Sequence, residues 1–284
     1  MLRVIKTVKE MQEASIGARA NGAAIVLVPT MGFLHDGHRA LLKRGRAREG
    51  LLVLSIFVNP SQFGPKEDLS AYPRDLEADL RMAEEEGVDI AFVPDAGEIY
   101  PEGYSTWVEV EGLSDRLCGA SRPGHFRGVA TVVLKLFNSV LPDKAVFGRK
   151  DFQQLCIIKR MAADLDLRVE IIGVDTVREP DGLAMSSRNS YLTPEERRAA
   201  SAIPAAIEEA RRAVAGGERK VSEIIKKCKN IIEKERLAVV DYIKVCHQES
   251  LDEVDEVDEV RGGSVLFLAV RIGRARLIDN AILS

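Results

Sequence analysis

Two histidines in this chain of 284 residues are spaced so that they could handle phosphate. His35 and His38 enclose Asp36-Gly37, after an apolar run that predicts a strand and before a stretch that predicts a helix. At such a helix start, backbone N–H groups and the positive end of the helix dipole point at the same place as the imidazoles. Gly37 lets a phosphate approach the backbone, and His38 can donate a hydrogen bond to charge on a transferring phosphoryl group. We therefore expect an anion site here.

The His-x-x-His spacing could also arise from a metal pair or from a coincidence at a helix end. A metal is disfavoured because no third ligand has a comparable setting nearby. His125, in a Gly-His-Phe segment that we expect to be a loop, lies far along the chain and could join the pair only through folding.

Two further polar segments carry groups that suit phosphate oxygens. Lys150 follows a predicted strand and can hold phosphate as a point charge, whereas Asp151 is accounted for equally well as a helix cap. The glycine-containing loop 181–189 offers two serine hydroxyls and the Arg188 guanidinium, which suit a polyphosphate under a loop that closes over it. A solvated turn accounts for that loop equally well.

Amide side chains mark another region of possible binding chemistry. Asn59 and Gln62 follow a predicted strand, at the position where ligands of open α/β sheets bind, and could orient a small polar substrate. Gln154 lies one turn into the helix after Lys150. Tyr72 and Arg74 follow soon after Gln62, and Arg122 and Arg127 flank Gly124-His125-Phe126. These arginines could anchor a carboxylate or phosphate, although arginine is also common on any protein surface.

Apolar runs that predict strands alternate with helical patterns over the first 176 residues. The predicted strands are 24–28, 51–58, 88–93, 144–147 and 169–174, and the predicted helices are 8–20, 39–49, 75–86, 128–140 and 151–165. Thr7 and Glu10 form a capping box at the start of the first helix, and Asn21-Gly22 stops it. Alternation of this kind predicts an α/β fold, a Rossmann-like doubly wound parallel sheet.

The remaining residues predict a smaller C-terminal α+β domain. Thr193-Pro194 starts a helix that Gly216-Gly217 ends, and a helix over 221–236 and strands over 239–246 and 265–272 follow. The period-three acidic stretch 252–260 predicts a solvated loop or helical turn, and it lacks the glycine-containing spacing of a calcium loop. We therefore expect two domains, 1–176 and 177–284.

Composition excludes several classes of protein. A net charge of −4 favours small anions over nucleic acid as partners, although a local basic cleft for phosphates stays possible. We expect no signal peptide, and we find no apolar run near the ~18 residues of a membrane span. The four cysteines form no Cys-x-x-Cys pair, which argues against a zinc knuckle or a redox motif. We expect a soluble cytoplasmic protein with reduced thiols and small-molecule substrates.

Taken in order, these motifs resemble the pantoate–β-alanine ligases, or pantothenate synthetases, of the His-x-Gly-His nucleotidyltransferase superfamily. The resemblance rests on Pro-Thr-Met-Gly-Phe-Leu-His-Asp-Gly-His at 29–38, Phe-Val-Asn-Pro-Ser-Gln-Phe at 57–63, Arg-Pro-Gly-His-Phe-Arg-Gly-Val at 122–129, Lys-Asp-Phe-Gln-Gln-Leu at 150–155 and Asp-Gly-Leu-Ala-Met-Ser-Ser-Arg-Asn at 181–189. It implies an ATP-dependent ligase that joins pantoate to β-alanine through a pantoyl adenylate, releasing AMP and pyrophosphate and forming pantothenate, a coenzyme A precursor.

The resemblance also implies roles for individual residues. Catalysis would fall to His38, as donor to the departing phosphate, and to His35, Lys150 and Arg188. The ATP site would comprise Met31, Gly32, Phe33, Leu34, His35, Asp36, Gly37, His38, Gly148, Arg149, Lys150, Asp151, Val177, Met185, Ser186, Ser187 and Arg188. Pantoate and β-alanine would contact Gln62, Gln154, Asn59, Tyr72 and His125.

Some implications of the resemblance concern groups outside the chain. Mg²⁺ would arrive with ATP and bind mainly through its phosphates, without dedicated protein ligands. The family is typically homodimeric. Arg149 stands where the family usually carries an acidic or amide residue, which puts only that side chain's contact in doubt.

Three other functions fit part of the sequence. A cytidylyltransferase would account for the first motif but not for the Gln-Gln and Ser-Ser-Arg segments, and a tRNA-charging ligase would need an RNA-binding domain that this length and charge barely allow. A non-catalytic nucleotide-binding module is disfavoured because His35, His38, Lys150 and Arg188 occur together.

Overall fold

A parallel sheet organises the first part of the chain in the computed structural model, which describes residues 2–46, 50–65, 67, 69–257 and 263–283. Within these ranges, six strands lie in the order β1-β4-β3-β2-β5-β6, and every neighbouring pair is parallel. The strands are β1 Arg3–Ile5, β2 Ile25–Thr30, β3 Leu51–Ile56, β4 Ile90–Phe92, β5 Lys144–Gly148 and β6 Glu170–Val174. The predicted doubly wound α/β fold is confirmed.

Helices cover both faces of this sheet. Val26 and Val28 of β2 pack in one apolar cluster with Leu41 and Leu42 of a helix. Ile25 and Leu27 point to the opposite face, because side chains alternate along a strand, and further helices pack there. The helices of this part are α1 Val8–Ala20, α2 Asp36–Arg46, α3 Leu76–Glu85, α4 Ala96–Ile99, α5 Leu117–Ser121, α6 His125–Val140 and α7 Phe152–Asp164. Short 3-10 turns occur at Pro60–Gln62 and Arg149–Asp151.

A second sheet is antiparallel and lies in the last part of the chain. Its strands are β7 Ala238–His247, β8 Ser264–Ile272 and β9 Ala275–Leu283, in the order β7-β8-β9. The helices there are α8 Pro194–Ala200, α9 Ala202–Ala215 and α10 Val221–Ile232, with a 3-10 turn at Ser187–Tyr191. Leucine, isoleucine and valine side chains of β8 are buried in one cluster with the apolar stripes of α9 and α10. This is the small α+β unit that the sequence predicts.

The described chain divides into two units. The first is Met1–Asp115, Gly119–Arg149 and Gln154–Asp175, and the second is Arg116–Cys118, Lys150–Gln153 and Thr176–Ser284. The predicted domain boundary after residue 176 stays a prediction.

Several predicted elements differ from the structure for identifiable reasons. The helix predicted from 194 to 215 is interrupted at Ser201, because Pro204 has no N–H to donate to the carbonyl of residue 200. The helix predicted to reach 236 ends at Ile232, after which no apolar residue continues its buried stripe until Leu237. Two strands were not predicted: β1 has three residues, and polar Asp279 and Asn280 interrupt the apolar run of β9.

His125 does not lie in a loop, contrary to the prediction. It is the first residue of α6, which was predicted to start at residue 128, and Gly124 precedes it with φ 81°. Only glycine adopts this left-handed backbone readily, so the chain turns at Gly124 and enters the helix at once.

The acidic stretch is extended rather than helical as far as the structure describes it. Glu253 and Glu256 form antiparallel bridges with Cys246 and Lys220. The acidic side chains from 252 to 256 are exposed, whereas Val257 is buried. The acidic residues of the repeat therefore lie in solvent, and this valine packs against the protein. The predicted loop is confirmed and the predicted helical turn is wrong; residues 258–260 lie outside the described residues.

A buried ion pair joins two segments of the second unit. Arg178 donates from Nη1 to Asp279 Oδ2 at 2.6 Å and from Nη2 to Oδ1 at 3.0 Å. The Asp279 side chain is 1% exposed, so its charge depends on this guanidinium and on the backbone N–H of Asn280. Arg178 Nη1 also donates to the carbonyl of Gly182, which ties loop 178–184 to β9.

We predict that Arg178→Met lowers the free energy of unfolding by about 3 kcal/mol, because it leaves a buried carboxylate without its cation. Urea unfolding followed by circular dichroism measures the change. Lys229→Met is the matched control, since the Lys229–Glu233 pair in the same unit is more than half exposed on both sides and should contribute less than about 1 kcal/mol. Equal losses for the two variants would contradict the prediction.

Candidate active site

The predicted site residues of the first unit follow three neighbouring strands. Strand β2 pairs with β3 on one side and with β5 on the other, so their carboxyl ends share one edge of the sheet. The chain runs in opposite directions across the sheet from β2 to β3 and from β5 to β6, which makes the gap between β2 and β5 the switch point of the sheet. Ligands of open α/β sheets bind at such a point.

A tight turn follows β2 and leads into α2. Gly32 has φ 78° and Phe33 has φ 50°, so two successive residues are left-handed. The position of Gly32 also leaves no room for a side chain, because a Cβ there would lie 2.8 Å from Asp79 Oδ2 and 3.1 Å from Ile56 Cγ2. Thr30 Oγ1 accepts the Gly32 N–H at 3.3 Å and donates to the carbonyl of Ser55 at 2.8 Å.

The Asp79 carboxylate, on α3, holds this turn. Its Oδ2 accepts the Phe33 N–H at 2.9 Å and its Oδ1 accepts the Leu34 N–H at 2.7 Å. The residue is 2% exposed. Burial raises the pKa of the carboxyl group, and the hydrogen bonds from Leu34 and Phe33 act in the opposite direction. A buried acid therefore supplies both acceptors that the turn needs.

The two histidines of the motif lie side by side at the start of α2. Their ring centroids are 4.1 Å apart. His38 Nδ1 accepts the His35 N–H at 3.2 Å, and His35 Nδ1 accepts the Gly37 N–H at 3.1 Å. Each Nδ1 must be unprotonated to accept, so the proton of each neutral ring is on Nε2. Both imidazoles are thereby set as Nε2–H donors.

The α2 helix dipole adds to this donor character. His38 and Arg39 donate their N–H groups to the carbonyl of His35 at 2.8 and 3.0 Å, which begins the helix. A bound anion is favoured at this end of α2, because the helix dipole is positive there. The Arg39 guanidinium, one turn inward, is paired with Glu86 and lies 3.1 Å from Glu85.

Two neighbouring side chains hold the Gln62 amide. Its Nε2 donates to Met31 Sδ at 3.0 Å, and its Oε1 accepts from Asn59 Nδ2 at 3.1 Å. Asn59 is 1% exposed; its Nδ2 also donates to the carbonyl of Gly128, and its Oδ1 accepts from Tyr100 Oη at 2.9 Å. A Cβ at Gly128 would lie 2.4 Å from the carbonyl oxygen of Ser61, so only glycine lets α6 pack this closely on the Gln62 turn.

His125 contacts the backbone of the same turn. Its Nδ1 lies 2.8 Å from the carbonyl of Gln62 and must donate to it, which leaves Nε2 to accept from Arg122 Nη1 at 3.0 Å. Its tautomer is thus the opposite of that of His35 and His38. Arg122 also donates twice to Glu67 at 2.6 Å. Burial opposes ionisation of Glu67, but the hydrogen bond and charge of Arg122 hold its pKa below the usual range.

The remaining predicted site residues of the first unit are Tyr72, Gly148, Arg149 and Gln154. Tyr72 is buried and packs edge-on against Phe63, with ring centroids 5.8 Å apart. Gly148 is the last residue of β5 and Arg149 is paired with Asp175 at 2.9 Å. Gln154, in α7, is half-buried, while its neighbour Gln153 belongs to the second unit, where it accepts from the Cys118 N–H.

The second unit holds the other predicted nucleotide residues. The Met185 N–H donates to the Val177 carbonyl at 3.0 Å, so these two residues pair across a narrow loop. Ser186 caps the following 3-10 turn by accepting the Arg188 N–H, and Ser187 is buried. The Lys150 carbonyl accepts from Asn280 Nδ2 at 2.9 Å, and Lys150 Nζ lies 3.4 Å from Asp151 Oδ1.

An acidic pair and one arginine brace this loop. Arg197 donates to Glu179 at 2.7 Å and to both oxygens of Asp181. Asn189 Nδ2 donates to Glu179 at 2.6 Å and to the carbonyl of Ala184 at 3.0 Å. Burial opposes ionisation of Glu179 and Asp181, but the hydrogen bonds from Arg197 lower the pKa of both. These contacts connect the loop to α8.

Sequence reasoning did not single out Asp79, Glu67 or Tyr100. Asp79 lies within a helix with exposed acidic neighbours and nothing in its spacing distinguishes it. The Met-Gly-Phe turn at 31–33 could have indicated that an acceptor such as Asp79 exists, because its backbone N–H groups need one. Within the described ranges, no group of three or more His, Cys, Asp or Glu side chains is arranged to hold a metal ion. None of the described helices has the length and apolar content to cross a bilayer.

Comparison with known proteins connects this arrangement to one family. A sequence model of the family described as Pantoate-beta-alanine ligase matches residues 3–282. The chain is 55% identical to the pantothenate synthetase of Syntrophotalea carbinolica over 98% of this chain and 97% of that protein. It is 52% identical to the pantothenate synthetase of Geotalea uraniireducens, with 99% of each covered.

Solved structures agree with the sequence comparison. The pantothenate synthetase of Thermus thermophilus superposes with a TM-score of 0.92 at 44% identity, covering 98% of each chain. The pantoate-beta-alanine ligase of Francisella tularensis, solved in complex with beta-gamma ATP and beta-alanine, superposes with a TM-score of 0.82 at 31% identity, covering 99% of this chain and 98% of the other. The chain therefore belongs to the pantoate–β-alanine ligase family, as its motifs predicted.

Proposed function

We propose that this chain condenses pantoate with β-alanine to pantothenate, with ATP converted to AMP and pyrophosphate through a pantoyl adenylate. The observation that carries the proposal is the pair of Nε2–H imidazoles, His35 and His38, at the start of a helix on the switch-point edge of the sheet. Such an array of donors suits the polyphosphate of ATP. Beta-gamma ATP and beta-alanine are the molecules bound to the family member from Francisella tularensis.

The chemistry requires a nucleotide because a carboxylate is a poor acyl donor. Attack of the pantoate carboxylate oxygen on the α-phosphorus of ATP expels pyrophosphate and replaces the oxide leaving group with AMP. The β-alanine amine then attacks the acyl carbon, forms the amide and releases AMP. Binding both partners in fixed geometry supplies proximity, and a site that excludes water protects the mixed anhydride.

We assign the phosphate end of this site to Met31–His38. Gly37 lets a phosphate approach the backbone, and Gly32 lets the turn pack on Asp79. Met31, Phe33, Leu34 and Asp36 complete the turn. His38 and His35 act as catalytic donors, with His38 Nε2–H placed to stabilise charge that develops on the departing pyrophosphate.

The second unit and the end of β5 contribute the other proposed nucleotide contacts. Lys150 and Arg188 supply positive charge to phosphate oxygens, as catalytic residues. The backbone pair Val177 and Met185 would contact the nucleoside, and the phosphates would meet hydroxyls and backbone groups of the remaining positions: Gly148, Arg149, Asp151, Ser186 and Ser187. Glu179 connects the Ser-Ser-Arg turn to α8, because it accepts hydrogen bonds from Asn189 and Arg197.

Gln62 and Gln154 are the proposed amide contacts of pantoate, and Gln62 also faces β-alanine. Asn59 and His125 would act on the substrates through Gln62, because Asn59 donates to the Gln62 side chain and His125 donates to the Gln62 carbonyl. Tyr72, buried against Phe63, would close the same wall.

Mg²⁺ is proposed as a partner of ATP. The donors at the histidine turn are the imidazole Nε2–H groups, which fit a phosphate rather than a cation, so the ion would be held through the phosphates it accompanies. When bound, it would neutralise part of their charge.

The proposal also covers the domain division, the oligomeric state and the cellular location. We propose a nucleotide-binding domain at 1–176 with a smaller domain at 177–284, and a homodimer, which sedimentation of the purified protein would test. The four cysteines are all free, which suits the reducing cytoplasm as the place of action.

The activity itself is tested by mixing purified protein with MgATP, pantoate and β-alanine and measuring AMP. We expect AMP and pantothenate to form in equal amounts when both pantoate and β-alanine are present, and pyrophosphate to be released without AMP when β-alanine is left out. Omitting Mg²⁺ should abolish both products. Absence of AMP, or AMP formed equally without pantoate, would overturn the assignment.

We predict that His38→Ala lowers the adenylation rate by about 10²-fold, the usual scale for a lost donor to developing charge. Pyrophosphate release in a single turnover measures this rate. His247→Ala is the matched control: this histidine lies in β7, and its Nδ1 accepts local N–H groups from Glu249 and Ser250. A His38→Ala rate equal to that of the control would assign His38 a structural role.

A further inference from the structure

We propose that Asp79 is a positioning residue for the adenylation step. Its carboxylate holds the turn 32–34, and through that turn it sets the two imidazoles that would donate to the phosphates of ATP. This inference rests on the proposed function, because it assigns Asp79 a part in that reaction without contact to the reacting atoms.

The geometry ties both oxygens of Asp79 to one turn. Oδ1 accepts from the Leu34 N–H at 2.7 Å and Oδ2 from the Phe33 N–H at 2.9 Å. These are successive backbone groups, so the carboxylate fixes the orientation of both peptide planes. The next N–H along the chain, that of His35, donates to His38 Nδ1. A displacement of the turn therefore reaches the His38 ring within one residue.

The turn would not keep this shape unaided. Phe33 has φ 50°, a left-handed conformation that a residue with a side chain adopts only where its surroundings hold it. Gly32, at φ 78°, lies so close to Asp79 that any Cβ would meet Oδ2 at 2.8 Å. Carboxylate and turn are thus fitted to each other, and neither has room for an alternative packing.

The charge of Asp79 supports a functional reason for this residue. A buried carboxylate is unfavourable by itself, and one placed beside a phosphate site also opposes binding of the anion. An apolar side chain would avoid both effects. An acid fits here because two adjacent N–H groups need an acceptor each, and a carboxylate has two.

The test compares Asp79→Asn with Asp75→Asn. The first variant keeps the volume but replaces one acceptor with an NH₂ donor that faces a backbone N–H. The second removes a charge from the start of the same helix and keeps a good N-cap, since Asp75 caps α3 through the Ala78 N–H and asparagine caps equally well. Thermal unfolding of both variants establishes that they are folded.

Each variant is then assayed for both half-reactions. Pyrophosphate release from MgATP and pantoate reports adenylation, and pantothenate formation from supplied pantoyl adenylate and β-alanine reports the second step. We expect Asp79→Asn to lose about 10²-fold in adenylation, the scale of a misplacement near 1 Å, and Asp75→Asn to match the wild type. The second step should change by less than about threefold in Asp79→Asn, because no pyrophosphate departs in it.

Two results would overturn the inference: adenylation by folded Asp79→Asn that equals that of Asp75→Asn, or equal loss of both half-reactions, which a general loss of structure would produce. If wild-type protein forms no AMP, the proposed function fails instead, and the two failures are distinct.

If Asp79→Asn does not fold, Gly32→Ala is assayed in its place. It leaves the carboxylate in place and pushes a Cβ against Oδ2, so it should show the same selective loss of adenylation. Unchanged adenylation by Gly32→Ala would contradict the inference as directly.

Discussion

The first unit depends on a carboxylate that bonds to two consecutive backbone N–H groups. Asp79 is placed by α3, which packs on the sheet, and it holds a turn that follows β2, so one residue connects the helical layer to the carboxyl edge of the sheet. The turn needs glycine at 32 for space and conformation, and it needs Phe33 in a left-handed backbone that isolated chains avoid. Tertiary contact therefore decides the local structure here.

The electrostatic character of the site follows from that turn. Because backbone N–H groups donate to both Nδ1 atoms, His35 and His38 are neutral rings that present Nε2–H, at the positive end of a helix. His125, bonded to a carbonyl, has the opposite tautomer and supports the Gln62 turn. The three histidines thus have two different tasks, one set by N–H donors and the other by a carbonyl acceptor.

Much of this could be predicted from sequence. The strand-turn-helix context of His35-Asp36-Gly37-His38 pointed to phosphate, the alternation of elements pointed to a doubly wound sheet, and the later motifs pointed to the family. Asp79 could not be found, because its function depends on a contact between residues that are 46 apart along the chain. The break at Ser201 and the three-residue strand β1 depend on one missing N–H and on pairing with β4, respectively. Local patterns do not contain such information.

The hydrogen bonds described above assign one ring nitrogen of each of these three histidines as the protonated one, and this assignment can be measured. A long-range ¹H–¹⁵N correlation spectrum of protein labelled with ¹⁵N-histidine, at neutral pH, distinguishes the two neutral forms and the imidazolium, and single His→Gln variants assign the signals. The structure predicts Nε2–H rings for His35 and His38 and an Nδ1–H ring for His125 within one spectrum. A His38 ring found as Nδ1–H or as imidazolium would contradict the account.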